Sequence, residues 1–128
     1  MAVPSRFRIV LQSENEMILS QGLEGCLNLY PLQTWSALND KLETLPIQNK
    51  IHQRAFKRML FSSASHVSFD EEGRILLPQH LMEYAHLKKE SVVIGLGDKI
   101  EVWSKDVWRK YEMKQKHTFA KLSSGLEL

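Results

Sequence analysis

The sequence predicts an α+β fold built from two tandem copies of one small β-rich module, related as a pseudo-twofold repeat. Two observations predict the duplication. The pattern small-or-apolar, apolar, proline, polar, polar, apolar surrounds Pro4 and returns around Pro78, an offset of 74 residues. A segment typical of a strand precedes Trp35 and returns before Trp108, an offset of 73 residues. Self-similarity at one interval is the signature of a repeated structural unit.

The second copy shows the order β-β-α-β-β, and its first half can be interpreted segment by segment. Ser65–Phe69 alternates polar and apolar side chains, which predicts a strand. Asp70–Gly73 predicts a turn, because Asp bonds its own backbone and Gly supplies a positive φ. Arg74–Leu77 predicts a second short strand, and Pro78 fits the first turn of a helix, where its missing N–H is not needed. The apolar side of this helix comprises Leu81, Met82, Ala85 and Leu87.

The second half of this copy predicts a hairpin and a helix. Strands are expected over Ser91–Leu96 and Ile100–Trp103, joined by a tight turn at Gly97–Asp98. Ser104–Lys121 predicts a helix with an apolar side at Val107, Trp108 and Tyr111.

The first copy begins in the middle of the same order. Pro4–Leu11 corresponds to the helix, Met17–Ser20 to the third strand and Cys26–Tyr30 to the fourth. The first two strands and their turn are expected before Met1. We expect the sheet edge that they leave to be covered by another element or to be loosened.

A helical linker is predicted between the copies. Apolar residues at spacings of three and four indicate an amphipathic helix that Pro46 ends. These residues are Leu32, Trp35, Leu38, Leu42 and Leu45. A second apolar stripe comprises Ile47, Ile51, Ala55 and Met59, and its opposite face carries Lys50, Arg54, Lys57 and Arg58. The predicted regions are module 1 over 1–35, the linker over 36–63, module 2 over 64–107, and a C-terminal helix and tail over 108–128.

Composition and charge are those of a globular protein that stays in the cytoplasm. The 128 residues are 43% hydrophobic and 25% charged, and no apolar run approaches the roughly 20 residues of a membrane-spanning helix. The first residues lack the apolar core of a signal peptide. Cys26 is the only cysteine, which excludes an internal disulfide and fits a reducing compartment. The net charge of +2 means that DNA binding would need local concentration of charge or oligomerisation.

No residue pattern supports an enzyme, a metal site or a cofactor. No two of the five histidines have the i, i+4 spacing of helical metal ligands. Cys26 lies in a predicted apolar strand, which favours a packed thiol over a nucleophile. Gly22–Gly25 and Gly95–Gly97 lack the spacing of a phosphate-binding loop and predict hairpin turns. Glu71 and Glu72 are adjacent on a turn and do not face one another as an acid–base pair.

Arg74 is the strongest candidate for a binding residue, and two interpretations of it stay open. A guanidinium at a turn can grip a phosphate or the O6/N7 edge of guanine. It can equally form an exposed ion pair with Asp70 or a neighbouring glutamate. Arg6 and Arg8 form a second basic spot.

The remaining basic and aromatic residues favour structural roles. The basic face around Arg54 and Arg58 is typical of a solvated helix or of ion pairing between subunits. Trp35, Trp103 and Trp108 lie at repeated positions on apolar faces, which favours core or subunit-interface anchors over platforms for stacked bases.

An ordered set of segments resembles the MraZ family of bacterial transcription factors. Asp70–Pro78 resembles the D-x-x-G-R-(I/L)-x-(L/I)-P signature of the SpoVT-AbrB module. Ala2–Arg8 is similar to the segment that follows this signature in the family's first module. Leu29–Trp35 and Ile100–Trp108 look like its two strand-to-helix junctions, and Gln53–Ala64 like its inter-module helix. Together these segments cover nearly the whole chain in order.

The resemblance implies two swapped-hairpin β-barrel modules of the AbrB type with flanking helices, assembled into closed rings. It implies a regulator, usually a repressor, that binds double-stranded DNA at direct repeats in the promoter of the cell-division and cell-wall gene cluster, in the nucleoid. The DNA-facing role of the signature arginine carries over to Arg74, and Arg6 and Arg8 are the other candidate DNA contacts. No cofactor, membrane or small-molecule substrate is expected.

Two further functions stay open. The acidic turn at Glu71 and Glu72 and the missing first turn are consistent with an oligomeric protein-interaction module that has lost DNA binding, because each lost phosphate contact removes counterion-release free energy. A ring can compensate by linking weak sites. An AbrB-type antitoxin would usually have one module and a disordered toxin-binding tail, whereas Ser104–Lys121 predicts an ordered helix.

Overall fold

A computed structural model of the chain describes residues 1–4, 7 and 15–127, which are organised around a five-stranded antiparallel sheet. The strands are β1 Glu16–Gln21, β2 Leu27–Pro31, β3 Ser65–Ser68, β4 Ser91–Gly95 and β5 Ile100–Ser104. Their order across the sheet is β3-β1-β2-β5-β4. The helices are α1 Leu32–Glu43, α2 Lys50–Ser63, α3 Gln79–Tyr84 and α4 Lys105–Ser123. None of these helices combines the length and the apolar character needed to cross a bilayer.

The two copies meet at the centre of the sheet across a pseudo-twofold axis. β2 pairs with β5, and Asn28 lies opposite Glu101 in that pairing. These two residues are 73 positions apart, the same offset that separates the starts of β2 and β5 and the starts of α1 and α4. The α+β class and the duplication predicted from Trp35 and Trp108 are therefore confirmed.

Each copy contributes a hairpin that runs directly into a helix. β1 and β2 are joined through a single turn at Leu23–Gly25, and β4 and β5 through Gly97. Gly25 has φ 85° and Gly97 has φ 92°, a region that residues with a Cβ seldom adopt. Both turns lie where the sequence predicts them. α4 begins behind an N-cap in which the Ser104 hydroxyl accepts the Val107 N–H at 3.1 Å.

A shared hydrophobic core joins the copies. Its buried residues come from β1, β2, β3 and β5, from α3, and from the segments that flank them. They are Val3, Met17, Leu19, Leu27, Leu29, Val67, Ile75, Leu81, Ala85, Leu87, Ile100 and Val102. The predicted apolar side of α3 is thus confirmed, with Met82 partly buried against the same cluster.

α1 and α2 pack beside the first copy. The Trp35 ring on α1 lies 5.4 Å from Tyr30 and 5.1 Å from Phe61 of α2, measured between ring centroids. The Gln53 side chain donates to the Leu42 carbonyl at 3.1 Å. Polar and aromatic contacts at both ends of α2 therefore hold it against α1.

The apolar stripe predicted for α2 does not face the core. Ile51 is 67% exposed and Met59 is 59% exposed, and Ala55 is also exposed. α2 is instead oriented by Gln53 and Phe61, which lie on its other side. Met59 lies at the edge of the cleft beside α1, and Ile51 is left mostly exposed.

Two local expectations also need correction. Arg74–Leu77 does not form a strand; it contributes an isolated bridge between Ala2 and Arg74. Backbone pairing reaches only as far as Ile75, and Pro78 has no N–H to extend it. α1 ends at Glu43, before Pro46. The predicted helix over Pro4–Leu11 lies outside the described residues, apart from Pro4 itself and Phe7, whose N–H donates to the Pro4 carbonyl at 3.0 Å.

Candidate nucleic-acid interface

The turn between β3 and α3 presents Arg74 on a firmly bonded loop. The Asp70 Oδ1 atom accepts the N–H groups of Glu72 at 2.8 Å and Arg74 at 2.9 Å. Gly73 has φ 76° and donates its N–H to the Asp70 carbonyl at 3.1 Å. The Arg74 N–H, followed by the Glu72 N–H, lowers the pKa of the Asp70 carboxyl below its ordinary value. The predicted turn chemistry is confirmed at both Asp70 and Gly73.

The residues after Arg74 anchor the turn to the core. Ile75 is 2% exposed, and its N–H donates to the Met1 carbonyl at 2.8 Å. The Val3 N–H donates to the Gly73 carbonyl at 3.2 Å. Leu76, by contrast, is 89% exposed. Arg74 therefore projects from backbone that is fixed on one side by a buried isoleucine and a short antiparallel pairing.

The Arg74 side chain is half exposed and paired with two acids. Its Nε lies 3.3 Å from Asp70 Oδ2, and its Nη2 lies 2.7 Å from Glu72 Oε2. The ion-pair interpretation thus describes the chain without a ligand. Exposed pairs of this kind contribute about 0–1 kcal/mol, so a ligand of higher charge density can replace them. The guanidinium has five N–H donors, and these two contacts leave the others for a ligand.

The other predicted basic residues are not gathered at this turn by any described contact. Arg6 and Arg8 lie outside the described residues; Ala2, at the start of the same segment, forms an isolated bridge with Arg74. On α2, Lys57 forms an ion pair of 3.0 Å with Glu43. Lys50, Arg54 and Arg58 are exposed.

Aromatic residues form an equivalent corner in each copy. The ring centroids of Tyr30 and Trp35 are 5.4 Å apart, and those of Trp103 and Trp108 are 5.2 Å apart. Trp103 is 2% exposed, which confirms a core anchor and excludes a base-stacking platform.

A polar bond accompanies each aromatic corner, and the sequence analysis missed both. Asn28 Nδ2 donates to the Tyr30 hydroxyl at 3.0 Å. Trp103 Nε1 donates to Glu101 Oε1 at 2.9 Å. The signal was present, since the two pairs occupy positions related by the repeat offset of 73 residues.

The outer half of α4 is a surface that sequence reasoning also missed. Phe119 is 73% exposed and Leu122 is 61% exposed. Their helical spacing from Trp108 and Tyr111 continues the apolar side of α4 beyond the residues that pack on Trp103. This continuation would have been the signal for a long helix with an unpartnered end.

The apolar cleft beside α1 and α2 gathers no acid–base pair of described side chains. The cleft between the sheet, α1 and α2 has a volume of about 420 Å³, and Lys99 is the only charged side chain that lines it. Burial raises the pKa of the Cys26 thiol to about 12, which keeps it protonated and unreactive at neutral pH. No three His, Cys, Asp or Glu side chains of the described part of the chain are grouped so that they could hold a metal ion.

Comparison with known proteins identifies the fold. The model of the MraZ protein family, described as antitoxin-like, matches residues 1–59 and again residues 60–126. The chain belongs to the MraZ family. The family model thus matches once on each copy, and the resemblance carried by Asp70–Pro78 is confirmed.

Curated MraZ relatives are similar over most of the chain. The Clostridium acetobutylicum protein is 48% identical over 109 residues, which cover 85% of this chain and 75% of the relative. The Clostridium tetani protein is 45% identical with the same coverage. The Desulforamulus reducens protein is 40% identical over 124 residues, which cover 97% of this chain and 85% of the relative. All three are named "Transcriptional regulator MraZ".

Proposed function

We propose that this chain is a transcriptional regulator that binds double-stranded promoter DNA as a homo-oligomer, with Arg74 as a DNA contact. The observation that carries the proposal is the display of Arg74 on a turn fixed by Asp70 and anchored through Ile75. A guanidinium held in this way can contact a phosphate or the O6/N7 edge of guanine. The names of the MraZ relatives support the same function.

The modest charge of the chain favours binding through several subunits. A net charge of +2 gives one subunit little counterion release on DNA. Weak contacts become effective when subunits linked in one assembly meet repeated sites. We therefore propose short direct repeats as the DNA target and a closed ring as the assembly, with the promoter of the cell-division and cell-wall gene cluster as the regulated site. Arg6 and Arg8 are proposed as additional contacts.

Exposed apolar side chains on α2 and α4 support self-association. Ile51 and Met59 lie on α2, and Met113, Phe119 and Leu122 on α4, all more than half exposed. Such patches are typical of protein interfaces. Because they are different surfaces of one chain, a contact between them would be heterologous, the kind that closes into rings.

The test is a binding titration at several salt concentrations, on duplex DNA from the region upstream of the gene and on a scrambled duplex. Arg74→Ala should reduce the preference for the upstream duplex by roughly ten- to a hundredfold, the effect of losing one bidentate contact. The matched control is Arg58→Ala, which removes the same charge from an exposed position on α2. It should leave the preference unchanged.

Three results would each contradict a part of the proposal. Equal affinity of the wild type for both duplexes would exclude sequence-specific regulation. If Arg74→Ala and Arg58→Ala reduced the preference for the upstream duplex equally, Arg74 would not be a specific DNA contact. Sedimentation velocity on the same samples tests the assembly, since a monomer at micromolar concentration would exclude the ring.

An alternative function is an oligomeric protein-interaction module without DNA binding. The pairing of Arg74 with Asp70 and Glu72 favours it, because the candidate cation is already engaged. A large assembly that ignores DNA at low salt would support this alternative. The antitoxin alternative has less support from the structure, since Lys105–Ser123 forms an ordered helix.

A further inference from the structure

The two acids that contact Arg74 are held in different ways. The Asp70 carboxylate accepts two backbone N–H groups, at 2.8 and 2.9 Å, in addition to its contact with Arg74 Nε. The Glu72 carboxylate contacts Arg74 Nη2 at 2.7 Å and forms no hydrogen bond or ion pair with any other described side chain. The Glu72 side chain is 71% exposed. The Asp70 carboxylate is thus built into the turn, whereas the Glu72 side chain can move away without breaking a backbone hydrogen bond of the turn.

The geometry of the guanidinium makes the Glu72 contact the one that matters for a ligand. Arginine grips a phosphate or a guanine edge with two N–H groups at once. Because Nε of Arg74 is directed to Asp70, the pair that remains for such a grip is Nη1 with Nη2. Glu72 occupies Nη2. A phosphate that approached with Glu72 in place would also meet a carboxylate of the same sign.

We propose that Glu72 is an internal competitor of DNA for Arg74 and must be displaced from Nη2 before the guanidinium can grip a phosphate or a guanine edge through Nη1 and Nη2 together. This inference rests on the proposed function. Glu72 lowers the affinity of each single turn for any duplex. Stable binding then requires several turns acting together on repeated sites, as linked weak contacts do.

The test compares Glu72→Gln with Glu71→Gln in the titration on both duplexes. Glu71 is the matched control, because it is exposed on the same turn, carries the same charge and has no ion pair with Arg74 among the described contacts. Both variants gain affinity from the loss of one negative charge. Glu72→Gln should bind roughly three- to tenfold tighter than Glu71→Gln at low salt, because it also frees a phosphate contact.

A double-mutant cycle shows whether the excess acts through Arg74. In an Arg74→Lys background, which keeps the positive charge but lacks the fork, the difference between the two glutamine variants should fall to less than twofold. Equal affinities of Glu72→Gln and Glu71→Gln would overturn the inference. So would an excess that persists in the Arg74→Lys background.

The outcomes for the inference and for the proposed function are separable. If the wild type prefers the upstream duplex but Glu72→Gln and Glu71→Gln bind DNA with equal affinity, the proposed regulatory function stands and the role of Glu72 as a competitor is wrong. If Glu72→Gln binds both duplexes more tightly than Glu71→Gln but no variant prefers the upstream duplex, Glu72 competes with DNA as proposed and sequence-specific regulation is wrong. No binding by the wild type or by Glu72→Gln at the lowest salt would overturn both.

Discussion

The aromatic corners of the two copies share a pair of rings at the strand-to-helix junction but differ in the third ring that packs against this pair. In the first copy, Trp35 packs between Tyr30 and Phe61, and Phe61 comes from a separate helix, α2. In the second copy, the rings of Trp103, Trp108 and Tyr111 all contact one another, and Tyr111 lies three residues after Trp108 on the same helix. α1 stops after 12 residues, whereas α4 continues for 19.

The difference shows how one strand-to-helix junction serves two purposes. In the first copy, Phe61 from the separate helix α2 covers Trp35. In the second copy, Tyr111 of α4 itself completes the aromatic cluster, and α4 continues beyond it. Phe119, which is 73% exposed, lies in that extension. Both corners are therefore packed, but only the second leaves the outer part of its helix exposed.

The largest effect is expected at the buried ring that both the core and the second corner share. Trp103→Ala should lower the free energy of unfolding by about 3–5 kcal/mol, because Trp103 is 2% exposed and its removal leaves a cavity. Urea denaturation followed by circular dichroism measures the loss. Trp108→Ala, at a half-buried position of the same corner, should lose less. A larger loss of unfolding free energy in Trp108→Ala than in Trp103→Ala would show that the ring on α4 contributes more to stability than the ring on β5.

Two phenylalanines test the unequal closure directly. Phe61→Ala removes the ring that covers Trp35 and should cost about 2 kcal/mol of unfolding free energy, less than a fully buried ring. Phe119→Ala should change that free energy by less than about 0.5 kcal/mol, as exposed substitutions do. It should instead reduce the assembly seen by sedimentation velocity. Similar losses of stability in both variants would show that α4 is packed as firmly as α2.

The smallest effect at neutral pH is expected at Cys26, whose repeat-equivalent in the second copy is Lys99. Burial raises the Cys26 pKa from 9.0 to about 12 in the folded chain. The folded state therefore favours the protonated thiol, and stability present below pH 9 is lost as the pH rises from about 9 toward about 12. Cys26→Ala should flatten this decline in urea denaturation at alkaline pH. If the unfolding free energy of the wild type and of Cys26→Ala declined identically with rising pH, the raised pKa of the buried thiol would be wrong.

Local chemistry explains which features could be predicted from the sequence. The hairpins at Gly25 and Gly97, the turn at Asp70 and the helix after Pro78 each depend on neighbouring residues, and all four form where predicted. The period of the repeat then placed the two hairpins in equivalent positions.

The remaining features depend on which distant segments meet. The Ile51 stripe of α2 has helical periodicity whether it faces the core or solvent, and the Phe61 contact with Trp35 decided its direction. The strand expected at Arg74 needed a partner long enough to pair with it, and pairing stops at Ile75. For the Arg74 side chain, the sequence offered both an ion pair and a DNA contact. Its choice of Glu72 over Glu71 is a property of the folded turn. The roles of Arg6 and Arg8 stay predictions.

The pairing of Asn28 with Glu101 has a consequence for how the sheet is held together. Two identical chains that met at such an axis would have to place the same side chain on both strands, and two glutamates directly opposite would repel. A single chain can put an amide against a carboxylate instead. The joining of the halves is also intramolecular, so the closure of this central pairing does not depend on protein concentration, unlike that of an obligate dimer. Dilution can therefore take an assembly of these chains apart without opening the sheet of any one of them.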